Sequence, residues 1–187
     1  MTIALIVIAA IVVIAVLYFI AKRNSIISAR NRVDEAWSGI DVQLKRRHDL
    51  VPNLVETVKG YATHESQTFE KTTQARAAAM QAQSVEETAK AEQQLTRALA
   101  DVKAVAENYP ELRATENFQQ LSRNLSELED EIQASRRIYN SNVQSYNTDI
   151  EQFPGSIVAN QGHFTKREFF EIEDPADREP VSVSFDK

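Results

Sequence analysis

The side chains able to do acid–base or metal chemistry are few in this sequence. Three histidines occur, and two of them precede a carboxylate: His48 stands before Asp49 and His64 before Glu65, whereas His163 follows Gly162 in a loop-like stretch. Successive residues on a helix point in different directions, so His48 and Asp49 cannot face one another as a dyad. His64 has no second histidine at metal-binding spacing, and cysteine is absent, which removes thiolate chemistry, disulfides and Cys-ligated zinc. No glycine-rich phosphate loop and no nucleophile elbow is present. The acidic cluster Glu127, Glu129, Asp130 and Glu131, with Arg136 and Arg137 close behind, reads as a solvated helix face. The pattern points to interaction and not to catalysis, and no cofactor is expected.

A stronger signal lies in polar residues set into apolar seams. Between Arg137 and Pro154 the pair Tyr-Asn recurs after seven residues, as Tyr139-Asn140 and Tyr146-Asn147, and Phe153 follows at the next heptad. Tyr139, Val143, Tyr146, Ile150 and Phe153 share one helix face, with Asn140 and Asn147 stacked beside it. Asparagine disfavours helix interiors, so its repetition next to a seam suggests interhelical hydrogen bonds, since its amide both donates and accepts. The expected partner is the region Arg47-His48-Asp49-Leu50-Val51-Pro52-Asn53, where Arg47 falls on a seam and Pro52 frees the carbonyl of His48. A polar layer of Arg47, Asp49, Asn53, Tyr139, Asn140, Tyr146 and Asn147 that fixes helix register is therefore expected. The alternative is ordinary polar residues satisfied within a core.

Long helices must position these groups. Glycine occurs only at Gly39, Gly60, Gly155 and Gly162, and Pro110 is the one proline between Tyr61 and Phe153. Val33, Trp37, Ile40, Leu44, Val51, Leu54 and Val58 alternate by threes and fours. The spacing predicts a first long helix that kinks at Pro52 and continues through Phe69 and Arg76 to about Ala82. Ser84-Val-Glu-Glu87 is a capping-box pattern opening a second helix through Leu95, Leu99, Val102 and Val105, which ends at Pro110. Thr115 caps a third, whose seam runs from Phe118 to Phe153 and which stops at Pro154-Gly155. A short helix over Ser156 to Asn160 comes next. Three long helices on short connections alternate in direction, giving an all-α antiparallel bundle shaped as a rod.

Ahead of the bundle, Ile3 to Ala21 holds nineteen uncharged residues, which as a helix span roughly 28 Å against about 30 Å of hydrocarbon. Lys22, Arg23, Arg30 and Arg32 follow, while only Met1 and Thr2 precede. An uncleaved transmembrane anchor is expected, with the amino end outside and the bundle in the cytoplasm. A cleaved signal peptide would need a basic start, a shorter apolar core and a small-residue cleavage site. The net charge of −6 opposes a general nucleic-acid binder. The expected organisation is an anchor over 1–22, a bundle over 23–163 and an extended tail over 164–187. Val181, Val183 and Phe185 alternate with polar residues in that tail, so it either adds a strand to a partner or lies along the bundle.

These residues resemble the LemA family of bacterial membrane proteins. The likeness is carried by Ala36-Trp37, by Ile40 through Val55 with its Asp49-Leu50-Val51-Pro52-Asn53-Leu54 run, and by Tyr61-Ala62-Thr63-His64-Glu65. Tyr109-Pro110, the double Tyr-Asn heptad ending in Phe153-Pro154, and Phe164 to Glu171 extend it. The resemblance implies one transmembrane helix followed by a cytoplasmic helical bundle, no established enzymatic activity, and a membrane protein with a TPM domain as partner. The expected function is a self-assembling, non-enzymatic scaffold or adaptor at the cytoplasmic face of the bacterial inner membrane. The alternative is a subunit of a membrane-bound hydrolase or protease that uses His48 and Asp49.

Overall fold

The computed structural model describes residues 1–171, all of whose regular structure is helical: α1 (Thr2–Lys59), α2 (Ser66–Gln81), α3 (Val85–Glu107), α4 (Pro110–Ala114), α5 (Glu116–Glu151) and α6 (Gly155–Gln161). Helix α1 is continuous over 58 residues, from the apolar segment through Pro52 to Gly60. Every residue from Met1 to Tyr18 is exposed, and the first core position is Ile26. One helix is thus both the apolar segment and the first stave of the bundle. Residues 2–59 are long enough and apolar enough at the amino end to cross a bilayer.

The first long helix does not run on to Ala82, as the spacing predicts. It ends at Gly60, whose amide bonds back to the Glu56 carbonyl at 3.2 Å, and the chain reverses over residues 60–65 before α2 begins. Burial explains the reversal. A straight continuation would carry Phe69 and Thr72 beyond the end of the bundle, whereas the folded-back α2 buries both. The rod therefore has four long helices in up-down-up-down order, α1, α2, α3 and α5, and not three. The last of them still ends beside the start of the bundle, as expected.

Capping sets the remaining boundaries. The Ser84 side chain accepts from the Glu87 amide at 3.1 Å, and the Glu87 carboxylate accepts from the Ser84 and Gln83 amides at 3.3 and 3.0 Å. Those amides hold the Glu87 carboxyl below its ordinary range. Thr115 opens α5 by accepting from the Phe118 amide.

Two apolar clusters stack along the rod. The distal one joins Val51, Leu54 and Val58 of α1 to Leu95, Leu99 and Val102 of α3 and to Leu121 and Leu125 of α5. The proximal one joins Ile26, Val33, Ile40 and Leu44 of α1 to Tyr139, Val143, Tyr146 and Ile150 of α5, and it includes Val158 of α6 and Phe170.

Candidate functional site

The two Tyr-Asn pairs do not form a polar layer with Arg47, Asp49 and Asn53. The hydrogen-bond partners of all four lie in the non-helical segment 164–171. Asn147 donates through Nδ2 to the Arg167 carbonyl and accepts at Oδ1 from the Arg167 amide, both at 2.9 Å. Asn140 treats Phe170 in the same way, at 3.2 and 2.9 Å. The Tyr146 hydroxyl donates to the Thr165 carbonyl at 2.9 Å and the Tyr139 hydroxyl to the Glu168 carbonyl at 2.8 Å. Each asparagine thus mimics a strand neighbour, closing a two-bond ring on one peptide residue.

The periodicities explain why this works. Seven helical residues advance about 10.5 Å, and three extended residues advance about 10 Å. A Tyr-Asn pair every heptad therefore meets every third residue of an extended chain without loss of register. The pairing of Asn147 with Arg167 and Asn140 with Phe170 fixes the direction: the segment runs antiparallel to α5 and leads away from the apolar end of α1.

Side chains anchor what the ladder aligns. Phe170 is fully buried, with its ring edge-on to Trp37 at 5.6 Å between centroids, and Trp37 also packs on Tyr139 at 5.3 Å. Arg167 donates to Asp34 at 2.6 Å, and the Arg30 guanidinium lies 5.9 Å from the Phe164 ring centre. Burial raises the phenol pKa of Tyr139 and of Tyr146, with the Arg167 charge opposing it in both. The rings stay neutral donors across the physiological range.

Arg47 sits in a separate buried cluster nearer the distal end. Its guanidinium bonds to Glu92 at 3.3 Å, to Thr96 at 2.7 Å and to Glu129 at 3.3 Å, while His48 Nε2 lies 2.5 Å from the other Glu92 oxygen. Arg47 and Glu92 side chains are 6 % and 2 % exposed. The cluster cross-links α1, α3 and α5, and both carboxylate oxygens of Glu92 are engaged. Asp49 and Asn53 face solvent instead, on the side of α1 turned away from this seam. The carbonyl of His48, which Pro52 leaves without its helical donor, receives the Arg76 Nε at 2.7 Å. Pro52 thus stays within α1, and α5 ends ahead of Phe153 and Pro154.

Two parts of this arrangement escaped the sequence reading. Glu92 carried a signal: it lies three residues before Leu95 and seven before Leu99, so it occupies the α3 seam as Arg47 occupies that of α1. The role of 164–171 as the ladder's partner carried no periodic signal, and only Phe164, Phe169 and Phe170 mark the segment. Val181, Val183 and Phe185 lie outside the described residues. Among the described residues, no group of three or more His, Cys, Asp or Glu is placed to hold a metal ion.

A four-helix rod on a long apolar-ended helix, with its closing segment strapped to α5 through main-chain bonds, defines a membrane-associated bundle protein. The chain belongs to the LemA family, whose model matches residues 36–185. It is similar to the protein LemA of Metamycoplasma hominis, 30% identical over 80% of this chain and 69% of that one. It is also similar to the magnetosome protein MamQ 2 of Paramagnetospirillum magneticum, 25% identical over 90% of this chain and 73% of the relative. A magnetosome protein MamQ of Magnetospirillum gryphiswaldense is 23% identical over 86% and 68% of the two chains.

Proposed function

We propose that this protein is a non-catalytic, self-assembling scaffold or adaptor, held by residues 3–21 in the bacterial inner membrane with its bundle in the cytoplasm. One observation supports the reading most: the apolar segment and the bundle share a single unbroken helix, and the Tyr-Asn ladder strings the closing segment along it. The chain then leaves the ladder beside Trp37, sixteen residues past Ala21 and so about 24 Å along the helix from the membrane. Such a rod holds Phe170 and Glu171 at a set height, and the sequence that follows, with Val181, Val183 and Phe185, is the proposed contact for a membrane-protein partner, for which a TPM-domain protein is the family-based candidate. The basic residues Lys22, Arg23, Arg30 and Arg32 on the bundle side support the orientation.

Light scattering on full-length protein in mild detergent tests self-assembly: a mass of several copies is expected, and a monomer at high concentration removes that part of the reading. Affinity capture from native membranes, comparing the full chain with one truncated after Glu171, tests the adaptor role. Captured membrane proteins should be lost with the truncation; identical captures would contradict it. A membrane-bound hydrolase subunit is the second reading, and the observation favouring it is the open cleft that His48 lines together with Asp41, Lys45 and Thr88. Hydrolysis by the purified, metal-checked protein that His48→Gln abolishes would establish it over the scaffold.

A further inference from the structure

The corner between α5 and α6 carries apolar side chains that the bundle does not use. Phe153 is 81 % exposed and Ile157 is 57 % exposed, although α6 buries Gly155, Val158 and Ala159 on its other face. The depth of this corner comes from cross-helix contacts. Asn142 bonds to the Arg32 carbonyl at 3.2 Å, and seven residues further along α5 Asp149 pairs with Lys22 at 3.0 Å, so α5 descends as α1 rises. Lys22 is the first charged residue after the apolar segment. Helix α5 ends at Glu151, two residues beyond Asp149, and the chain turns through Phe153 to Gly155, where a Cβ would lie 2.9 Å from Lys22 Cε, so the corner is level with the end of the apolar segment at Ala21 and Lys22. Helix α6 gives the same level independently, because Val158 and Gln161 line one cleft with Phe19, Ile20, Arg23 and Asn24. The corner can reach this depth because Gly155 has no Cβ, which would collide with the Asp149 carbonyl.

We propose that this corner is a second membrane contact, in which Phe153 and Ile157 enter the boundary between headgroups and acyl chains of the leaflet that α1 leaves. The occupant is the lipid surface itself, since the two side chains stand at the depth where the apolar segment meets its first charges. Phe153 joins Tyr18 and Phe19 as an aromatic belt at this boundary, while Lys22 and Lys166 turn their ammonium groups to Asp149 and Glu151 at the same level. With two points of contact the rod is fixed in tilt, and not merely tethered. The Phe-Pro that closes the heptad series thereby serves the bilayer and not the core. This inference rests on the reading of residues 3–21 as a membrane anchor.

The absence of native cysteine makes the test direct. Single-cysteine, spin-labelled versions of the full chain at Phe153, Ile157, Val12 and Val42 are placed in lipid nanodiscs at one copy per disc, and collision rates with oxygen and a water-soluble nickel chelate are compared. Val42 is the aqueous reference, exposed and about 30 Å along α1 from Ala21. The expected result is an oxygen-to-nickel ratio at Phe153→Cys and Ile157→Cys several-fold above that at Val42→Cys and approaching that at Val12→Cys. Ratios at 153 and 157 equal to that at Val42, with Val12 in lipid, overturn the inference and leave the anchor standing. An aqueous Val12 overturns the anchor and the inference together.

Discussion

Asn140 and Asn147 each satisfy both polar groups of one peptide residue, so their loss is felt twice. Asn147→Ala strands the amide and the carbonyl of Arg167, at about 1–3 kcal/mol for a partly buried pair. Native-state hydrogen exchange should show the Arg167 amide exchanging about five- to a hundredfold faster, since about 1.4 kcal/mol is a factor of ten, while the Ile150 amide in α5 is unchanged. Equal protection at Arg167 in both proteins would contradict the ladder. The tyrosines add a pH dependence of definite sign. Their folded pKa values lie above the ordinary 10 because burial disfavours the phenolate. The unfolded chain therefore releases these protons first as pH rises, so the stabilisation is complete below pH 10 and declines above it. Phenolate absorbance should show Tyr139 and Tyr146 ionising above the ordinary range, and this late ionisation should vanish once the chain is truncated after His163. The sequence made these four residues conspicuous through their heptad spacing and the poor helix propensity of asparagine. It did not reveal their partner, because an extended segment has no period of its own and advertises nothing but Phe164, Phe169 and Phe170.

Among the helices, the features legible in advance were those that local chemistry decides. The capping box at Ser84, the Thr115 cap and the passage of α1 through Pro52 all depend on residues within one turn, and all are present, whereas α5 stops at Glu151, short of Phe153, and Pro154-Gly155 opens α6 instead. The reversal at Gly60 was hidden because it is decided by burial of Phe69 and Thr72 on elements distant in sequence, which no local pattern reports. The buried Arg47-Glu92-His48 cluster is of the same kind, since it requires knowing that α3 packs across α1. Removing one member leaves the others uncompensated. Glu92→Ala should cost about 3–5 kcal/mol in urea unfolding, whereas replacing Arg47, His48 and Glu92 together by apolar residues of similar volume should cost much less. A triple variant as unstable as Glu92→Ala would show that the charges stabilise α1, α3 and α5 by more than mutual neutralisation.

As a whole, the molecule is one continuous helix with a bundle wound back along it, and every longer-range feature is referred to that axis. The ladder lays the closing segment parallel to it, the proximal cluster begins five residues past the apolar segment, and the α5–α6 corner returns to the end of that segment, beside Phe19 and Lys22. Such a rod reports position relative to the bilayer, so the side of the membrane on which it stands decides what it can organise. Gln133 lies on the exposed face of α5, which makes it a suitable reporter in a chain without cysteine. With Gln133→Cys expressed in intact cells, a membrane-impermeant maleimide should leave the protein unlabelled until the membrane is permeabilised, while Thr2→Cys should react from outside. Labelling of Gln133→Cys in sealed cells would place the bundle on the other side and contradict the cytoplasmic scaffold.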